Sequence, residues 1–491
     1  MAHKTPLPGT LQENLRWLKK ALGNHRGAIF RDLAMPTPGG GTTQVLVVYF
    51  EAQASAQRVE FHLVRTLLER ASRGAPLNLD VMLPATIELK TREEALEYLF
   101  RGKVLAQVEG DPSLYVVELS DMPHRDIPVP ETETGITGPR EAFTELLVMN
   151  LTQLRRRLPG TALHLESTWI GDQAPVEVVI AYAEGRTTER MLSEVRRRLG
   201  KIKVDGLQDS GQIAEALSDR ALSLFPTVLI TERPDTVIHY LMAGRVGVLM
   251  ENAPRALIVP AVFLDFFVSV DDFYEWRPYV AFLRFLRFIA FNIAIPLPAL
   301  YVSVTTYHLQ ALPTELTTSL LAQREGVPLP APIEATVMTI IFEILREAGV
   351  RLPRSIGPTV SIVGGLVIGD AAIRSGITSP AMVLVVSATA VATFSLPSTT
   401  LANAATYYRY GVLALASAFG IFGLLIGYLA VLANLAHMTS LGVPYASPLF
   451  PFMGKHLATA LGTKKRPPEG PGARPAPSLV QTAENYTEPK E

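Results

Sequence analysis

The stretch IEATVMTIIFEILREAGVRLPRSIGPTVSIVGGLVIGDAAIRSG, Ile333 to Gly376, decides how the whole chain is read. Val337, Ile340, Ile341, Ile344 and Leu345 recur at the helical period and make one apolar side. Glu343, Arg346 and Glu347 stand at i, i+3 and i+4, so two carboxylates and a guanidinium share another face. Leu352–Pro353 predicts a break. A nearly uncharged, glycine-rich run from Ile356 to Gly369 follows and ends at Asp370. In a soluble chain this pattern describes a surface helix and a buried core segment. In a membrane chain the same charges must face protein or water, because an unpaired charge in hydrocarbon is costly. The neighbouring sequence selects the second reading.

Of 491 residues, 48% are hydrophobic and 19% charged, with a mean hydropathy of +0.23. Soluble domains carry about 25% charge, so part of this chain is expected in a membrane. A formal net charge of −1 offers no field for nucleic acid. No cysteine is present, which removes disulfides, thiolate metal sites and cysteine nucleophiles. Met1–Arg26 lacks the apolar core of a secretory signal. Most charge precedes Pro278, and most long apolar runs follow it.

Working outward toward the N-terminus, helices and β-branched runs alternate in two groups. The first holds helices at Leu11–Leu22, around Ser55–Arg73 and at Thr91–Phe100, with strands at Gln44–Glu51, Val104–Val108 and Leu114–Leu119. Met122–Gly138 reads as a linker. The second group holds helices at Pro139–Leu158 and Thr187–Leu199. Its strands fall at Leu163–Ile170, Val176–Tyr182, Leu224–Ile230, Val246–Met250 and Ala256–Val259. The triplets Arg155–Arg157 and Arg196–Arg198 offer a phosphate or lipid surface, but such runs more often are solvated helix ends favoured by the helix dipole. Thr231–Asp235 clusters three charges and reads as a turn locked by ion pairs rather than a catalytic group.

Toward the C-terminus, Phe282–Thr306, Pro380–Leu396 and Tyr410–Ala436 are long apolar runs, and spanning a bilayer needs roughly 20 such residues. Gly420, Gly423 and Gly427 lie close to one side of the last, a spacing that permits close helix packing in lipid. Lys455, Lys464, Lys465 and Arg466 follow it and place that end in the cytosol. The tail is rich in Pro, Gly, Ser, Glu and Lys and is expected to be disordered. The predicted fold class is therefore an α/β soluble N-terminal region of two subdomains followed by an all-α polytopic transmembrane domain with broken or re-entrant helices. The expected divisions are 1–125, 126–260, 261–454 and a basic tail, 455–491.

No phosphate loop, zinc helix or nucleophile elbow occurs, and the nine histidines show no ligand spacing. No catalytic, cofactor or metal residue is therefore assigned, and no enzyme activity is expected. Glu343, Arg346, Glu347 and Asp370 are the candidates for an ion path or its gate. Gly420, Gly423 and Gly427 are the candidates for helix packing. A secondary transporter fits the interrupted helices, although no inverted repeat is visible and so large a soluble head is unexpected. A membrane-anchored sensing scaffold without conductance also fits.

Several segments together resemble the A-subunit of GerA-type spore germinant receptors, a family that includes the similar SpoVAF proteins. They are GPREAFTELLVMN (Gly138–Asn150), LFPTVLITERPDTV (Leu224–Val237), GRVGVLMENAPRALIVPAVF (Gly244–Phe263) and VDDFYEW (Val270–Trp276). FLRFLRFIAFNIAIPLPALYVS (Phe282–Ser303), FEILREAGVRLPRSIGPTVSIVGGLVIGDAAI (Phe342–Ile373) and GVPYASPLFPF (Gly442–Phe452) complete the set. The resemblance covers roughly Ile127 to Phe452; the first hundred residues match loosely. LQENLRWLKKALG together with the LFPFMGKHL ending leans toward SpoVAF, REAGVRLP toward the nutrient-receptor subunits. The resemblance implies a multi-pass protein of the spore inner membrane with head and tail in the cytosol. It implies an oligomer in contact with lipid that forms or gates a monovalent-cation release channel in nutrient-triggered germination. Its implied partners are a transporter-like B-subunit and a lipoprotein C-subunit. The SpoVAF alternative implies an accessory protein that amplifies ion release.

Overall fold

The computed structural model describes residues 5–23, 28–36, 41–50, 57, 59–73, 77, 79, 87–100, 102–117, 128–159, 162–220, 223–351 and 357–460. The expected break at Leu352–Pro353, the first part of the linker and the tail beyond residue 460 lie outside them. The chain divides into two compact units. One holds the described residues up to 220 with Val228–Pro260; the other holds 223–227 with those from Ala261 onward.

The first unit contains two five-stranded sheets of the same design. β1 (Ala28–Pro36), β2 (Thr42–Phe50), β3 (Ile87–Leu89), β4 (Val104–Val108) and β5 (Leu114–Val117) take the order β1-β2-β4-β5-β3. β6 (Leu163–Ile170), β7 (Val176–Ala183), β8 (Leu229–Thr231), β9 (Val246–Met250) and β10 (Ala256–Val259) take the order β6-β7-β9-β10-β8. Every pairing among these strands is antiparallel. The two sheets are thus one strand-order plan used twice, with helices inserted at matching points. α1 (Leu11–Leu22) precedes the first sheet. α2 (Arg65–Ser72, after a π-helical turn at Val59–Val64) and α3 (Arg92–Phe100) interrupt it. α4 (Leu147–Arg157) precedes the second, which α5 (Glu189–Leu199), α6 (Ser210–Leu217) and α7 (Pro234–Met242) interrupt.

The run QVLVVYF explains why β2 is an inner strand. Its side chains alternate, so Val45, Val47 and Tyr49 pack toward Leu63 and Leu67 while Leu46, Val48 and Phe50 pack toward Leu18 and Leu99. Both faces are covered, hence the unbroken apolar run. β1 escaped the sequence reading because it is an edge strand. Arg31 and Asp32 stand in its middle, and most of it is half-buried or exposed. The predicted helix Pro139–Leu158 begins only at Leu147. Tertiary contacts decide this: Glu251 accepts the Leu147 N–H at 2.9 Å, and the Asn150 amide bonds both the N–H and the carbonyl of Thr144. The predicted strand Leu224–Ile230 is likewise confined to Leu229–Thr231.

The second unit is helical: α8 (Arg277–Ala294), α9 (Leu297–Tyr307), α10 (Thr314–Arg324), α11 (Ala331–Arg351), α12 (Gly357–Arg374), α13 (Pro380–Phe394), α14 (Thr399–His437) and α15 (Gly454–Ala460). Phe225 draws residues 223–227 into it: its ring stacks on Tyr408 at 4.6 Å and touches Phe263, Phe291 and Tyr445. Phe282–Thr306, an apolar run long enough to span but interrupted by Pro296 and Pro298, is a pair of helices bent by 42° at Ile295–Pro296. Of the predicted glycine-rich run, residues 357–369 lie in the helix α12, which begins at Gly357.

α14 is 39 residues long and contains an 18-residue stretch with a mean hydropathy of 2.2, long and apolar enough to cross a membrane. It is not one rod. Gly420 has φ 60° and ψ −137°, and the chain folds back on itself there. Three contacts on either side of the reversal establish this. Gly423 lies against the Leu415 carbonyl, Gly427 against Val412, and Asn434 Nδ2 donates to the Tyr408 hydroxyl at 2.5 Å. A straight helix of this length would reach about 58 Å, whereas each arm of the hairpin is roughly 25–32 Å. The expected span Tyr410–Ala436 is therefore interrupted at its middle.

Candidate functional site

Four of the sequence-predicted residues lie on α11 and α12. Glu343 and Arg346 meet as an ion pair, Oε2 to Nε, at 2.7 Å. Glu343 Oε1 also faces Arg409 Nη1 at 3.4 Å and accepts the Thr406 hydroxyl at 3.3 Å, both from α14. Arg346 Nη1 donates to Asn403 Oδ1 at 3.1 Å. Glu347, one position along the face, is exposed. Asp370 is not part of this cluster; it pairs with Arg374 on its own helix at 2.8 Å, with side chains 55% and 80% exposed.

The centre of the cluster is a residue the sequence reading passed over. Arg409 is 1% exposed and binds four helices together. Its Nε donates to the Ala294 carbonyl at 2.7 Å, at the end of α8, and its Nη2 donates to Thr393 Oγ1 of α13 at 2.6 Å. The need for it is local chemistry. Ala294 would be bonded by the N–H of residue 298, but Pro298 has none. Breaking the helix at Ile295–Pro296 leaves a buried carbonyl, and the guanidinium of a distant helix satisfies it. The signal was present: Arg409 is the one ionised side chain between Arg374 and Lys455.

Glu334 is a second buried charge the sequence reading missed, although it opens the decisive stretch. It is 1% exposed. Its Oε1 accepts the Thr378 hydroxyl at 2.8 Å, the Ser379 N–H at 2.7 Å and the Ser379 hydroxyl at 2.8 Å, so it caps the N-terminus of α13. Arg324, at the end of α10, approaches its Oε2 at 3.5 Å.

Gly420, Gly423 and Gly427 are all buried, and the last two pack against the first arm of their own hairpin. Gly420 holds the left-handed dihedral of the reversal and meets the Tyr307 and His308 rings. The reversal leaves carbonyls of the first arm without helical N–H partners, and the Tyr307 hydroxyl donates to that of Ser417 at 2.6 Å. Gly423 and Gly427 thus pack closely against a helical arm of their own chain.

At the sheets, the arginine triplets find partners inside the fold. Arg156 and Arg157 pair with Glu141, and Arg155 lies over the Phe50 ring at 4.4 Å. Arg196 holds Glu166 and Glu189, while Arg197 and Arg198 flank Glu194 and Arg198 also reaches Asp219. The Arg197 and Arg198 hydrogen bonds hold the Glu194 carboxyl down at about 2, against the opposing effect of burial. Thr231–Asp235 forms the expected turn, with Arg233 and Asp235 paired at 2.8 Å.

Residues 16–467 match the family described as Bacillus/Clostridium GerA spore germination protein. Spore germination protein KA of Bacillus subtilis (strain 168) is 35% identical over 92% of this chain and 84% of its own length. Spore germination protein GerLA of Bacillus cereus is 32% identical over 99% and 98%. A membrane protein of Bacillus subtilis (strain 168), YfkQ, is 35% identical over 91% and 87%. Among solved structures, the N-terminal domain of the A subunit of the Bacillus megaterium spore germinant receptor GerK3 is similar at 25% identity and a TM-score of 0.41, over 53% of this chain and 98% of that one. The family match and the relatives cover both the sheet-bearing unit and the helical unit that carries Glu343 and Arg409. The chain belongs to the GerA family of spore germination proteins.

Proposed function

We propose that the chain is the A-subunit of a spore germinant receptor and forms or gates a path for monovalent cations across the spore inner membrane. It does so as an oligomer, beside a transporter-like B-subunit and a lipoprotein C-subunit. The observation that carries this is the Asp370–Arg374 pair. It sits exposed on α12, a helix with no other charge. Exposed charge on an apolar helix avoids hydrocarbon, so in an assembly it faces water or a neighbouring copy. A symmetric oligomer repeats the carboxylate around its axis, as acidic rings do in cation channels. Glu343 suits this role less well, because Arg346 and Arg409 enclose it.

The roles separate in a flux measurement on the receptor reconstituted in liposomes. Asp370→Asn is expected to lower rubidium efflux several-fold at normal abundance, with a smaller loss for Glu347→Gln. Glu343→Gln is expected to lower the amount of folded protein instead. Unchanged efflux from both Asp370→Asn and Glu347→Gln, at normal abundance, would sink the proposal.

The same reading places the sheets and the basic tail in the cytosol. The α14 hairpin supports it by returning the chain to the side it left. With no native cysteine, single cysteines replacing the exposed Ser193 and the tail residue Ser478 report cleanly. Both should resist an impermeant maleimide added from outside. Labelling of either one in intact membranes contradicts this orientation.

A further inference from the structure

The segment Pro128–Glu145 runs against the turn between β8 and α7, and two carboxylates exchange hydrogen bonds there. Glu232, in the turn, accepts on Oε1 the Thr132 N–H at 2.6 Å, the Thr132 hydroxyl at 3.1 Å and the Glu133 N–H at 2.8 Å. Glu133 answers from the segment, accepting on Oε2 the Thr231 hydroxyl at 2.5 Å and the Glu232 N–H at 3.3 Å. Arg233 supports the contact from behind. Its Nη1 donates to the Glu133 carbonyl at 3.4 Å and its Nη2 to the Pro139 carbonyl at 2.7 Å, with Asp235 holding the guanidinium.

The charges around Glu133 are therefore Glu232, Arg233 and Asp235 across the contact, with Glu131 on its own segment. The Glu232 oxygen takes three donors, two of them at 2.8 Å or less. Glu133 has two on Oε2, one of them long, beside a like charge and largely out of water. Such a carboxyl gains by holding a proton. Burial accordingly pushes its pKa up to about 7, with the Thr231 hydroxyl and the Glu232 N–H opposing.

We propose that the Glu133–Glu232 clasp is a proton-dependent latch that holds residues 131–138 against the β8–α7 turn in mild acid and loosens toward neutrality. The released segment titrates near 4.5, the latched one near 7. Between these values the closed latch binds a proton that the open one lacks. Closure is fully favoured below the lower value and is lost as pH rises through the upper, by up to about tenfold per pH unit in that window. The latch presents Ile136, which stands 88% exposed within this segment.

Hydrogen exchange of the Thr132 and Glu133 amides in the full-length protein tests this, with intrinsic rates divided out. Protection should fall at least tenfold between about pH 5 and about pH 7. Glu133→Gln, a neutral isostere, should keep the low-pH protection and flatten the profile. Thr231→Val gives a second reading that survives if the first variant folds poorly. It removes a donor that favours the ionised form, so the midpoint should move upward. A flat profile in the unaltered chain, an unchanged slope in Glu133→Gln, or an unmoved midpoint in Thr231→Val each overturns the latch.

Discussion

Gly423→Ala and Gly423→Leu should both collapse the α14 hairpin, lowering stability by about 3 kcal/mol and the yield of folded protein with it. A Cβ at this position would sit 2.0 Å from the Leu415 carbonyl oxygen and 3.0 Å from the Ala416 nitrogen. Both are backbone atoms of the opposite arm, so nothing flexible can give way. The contrast with Gly411 makes the test specific. Gly411 lies in the same helix with nothing within 4 Å of its absent Cβ. There, exchange for alanine should be neutral or stabilise by up to about 1 kcal/mol, the ordinary helix-interior difference. Fluorescence-detected size exclusion in detergent and unfolding midpoints for the three variants decide the matter. If Gly423→Ala folds normally and only loses oligomers, the glycine faces another subunit and the hairpin contact is wrong.

Arg409→Met should be at least as damaging, at about 3–5 kcal/mol, because it strands charge and carbonyl together in the bundle interior. The methionine fills much of the space but leaves Glu343 with Arg346 and the Thr406 hydroxyl, and the Ala294 carbonyl without its guanidinium donor. A second change separates electrostatics from packing. Glu343→Gln in the Arg409→Met background removes the stranded charge and should recover part of the loss, so the double variant should be more stable than the sum of the singles implies. Thermal unfolding of the four proteins closes that cycle. Strict additivity would mean that Arg409 serves chiefly the helix ends at Ala294 and Thr393, and that Glu343 is indifferent to it.

Why Glu343 was legible in the sequence and Arg409 was not follows from distance along the chain. Glu343, Arg346 and Glu347 announce themselves by helical spacing, and the 2.7 Å pair between the first two is a contact within one helix turn. Arg409 serves atoms on three other helices, far away in sequence, and one of its obligations arises only because Pro298 cannot donate. A lone arginine in a long uncharged tract marks that such an obligation exists without naming the partner. Glu334 was hidden differently. At the start of an apolar helix it looks like an exposed N-terminal acid, and only the approach of Thr378 and Ser379 makes it a buried cap.

The amino-acid order by itself determined the local elements and the division of labour along the chain. β-branched alternation set the inner strands such as β2, helical periodicity set α1 and α5, and the shift from charged to apolar composition separated the sheets from the helical unit. These are local properties, carried by nearest neighbours and by the period of burial. Tertiary structure alone decided the strand order that both sheets share, the late start of α4 under the Glu251 carboxylate, and the fold-back of α14. The last is the clearest case. By composition Tyr410–Ala436 is a single apolar span, and one left-handed dihedral at Gly420 turns the helix that holds it into two antiparallel arms. Glycine permits that dihedral without requiring it. What holds it is the Tyr307 hydroxyl on the freed Ser417 carbonyl and the fit of Gly423 and Gly427 against Leu415 and Val412, contacts that exist only once the arms have met.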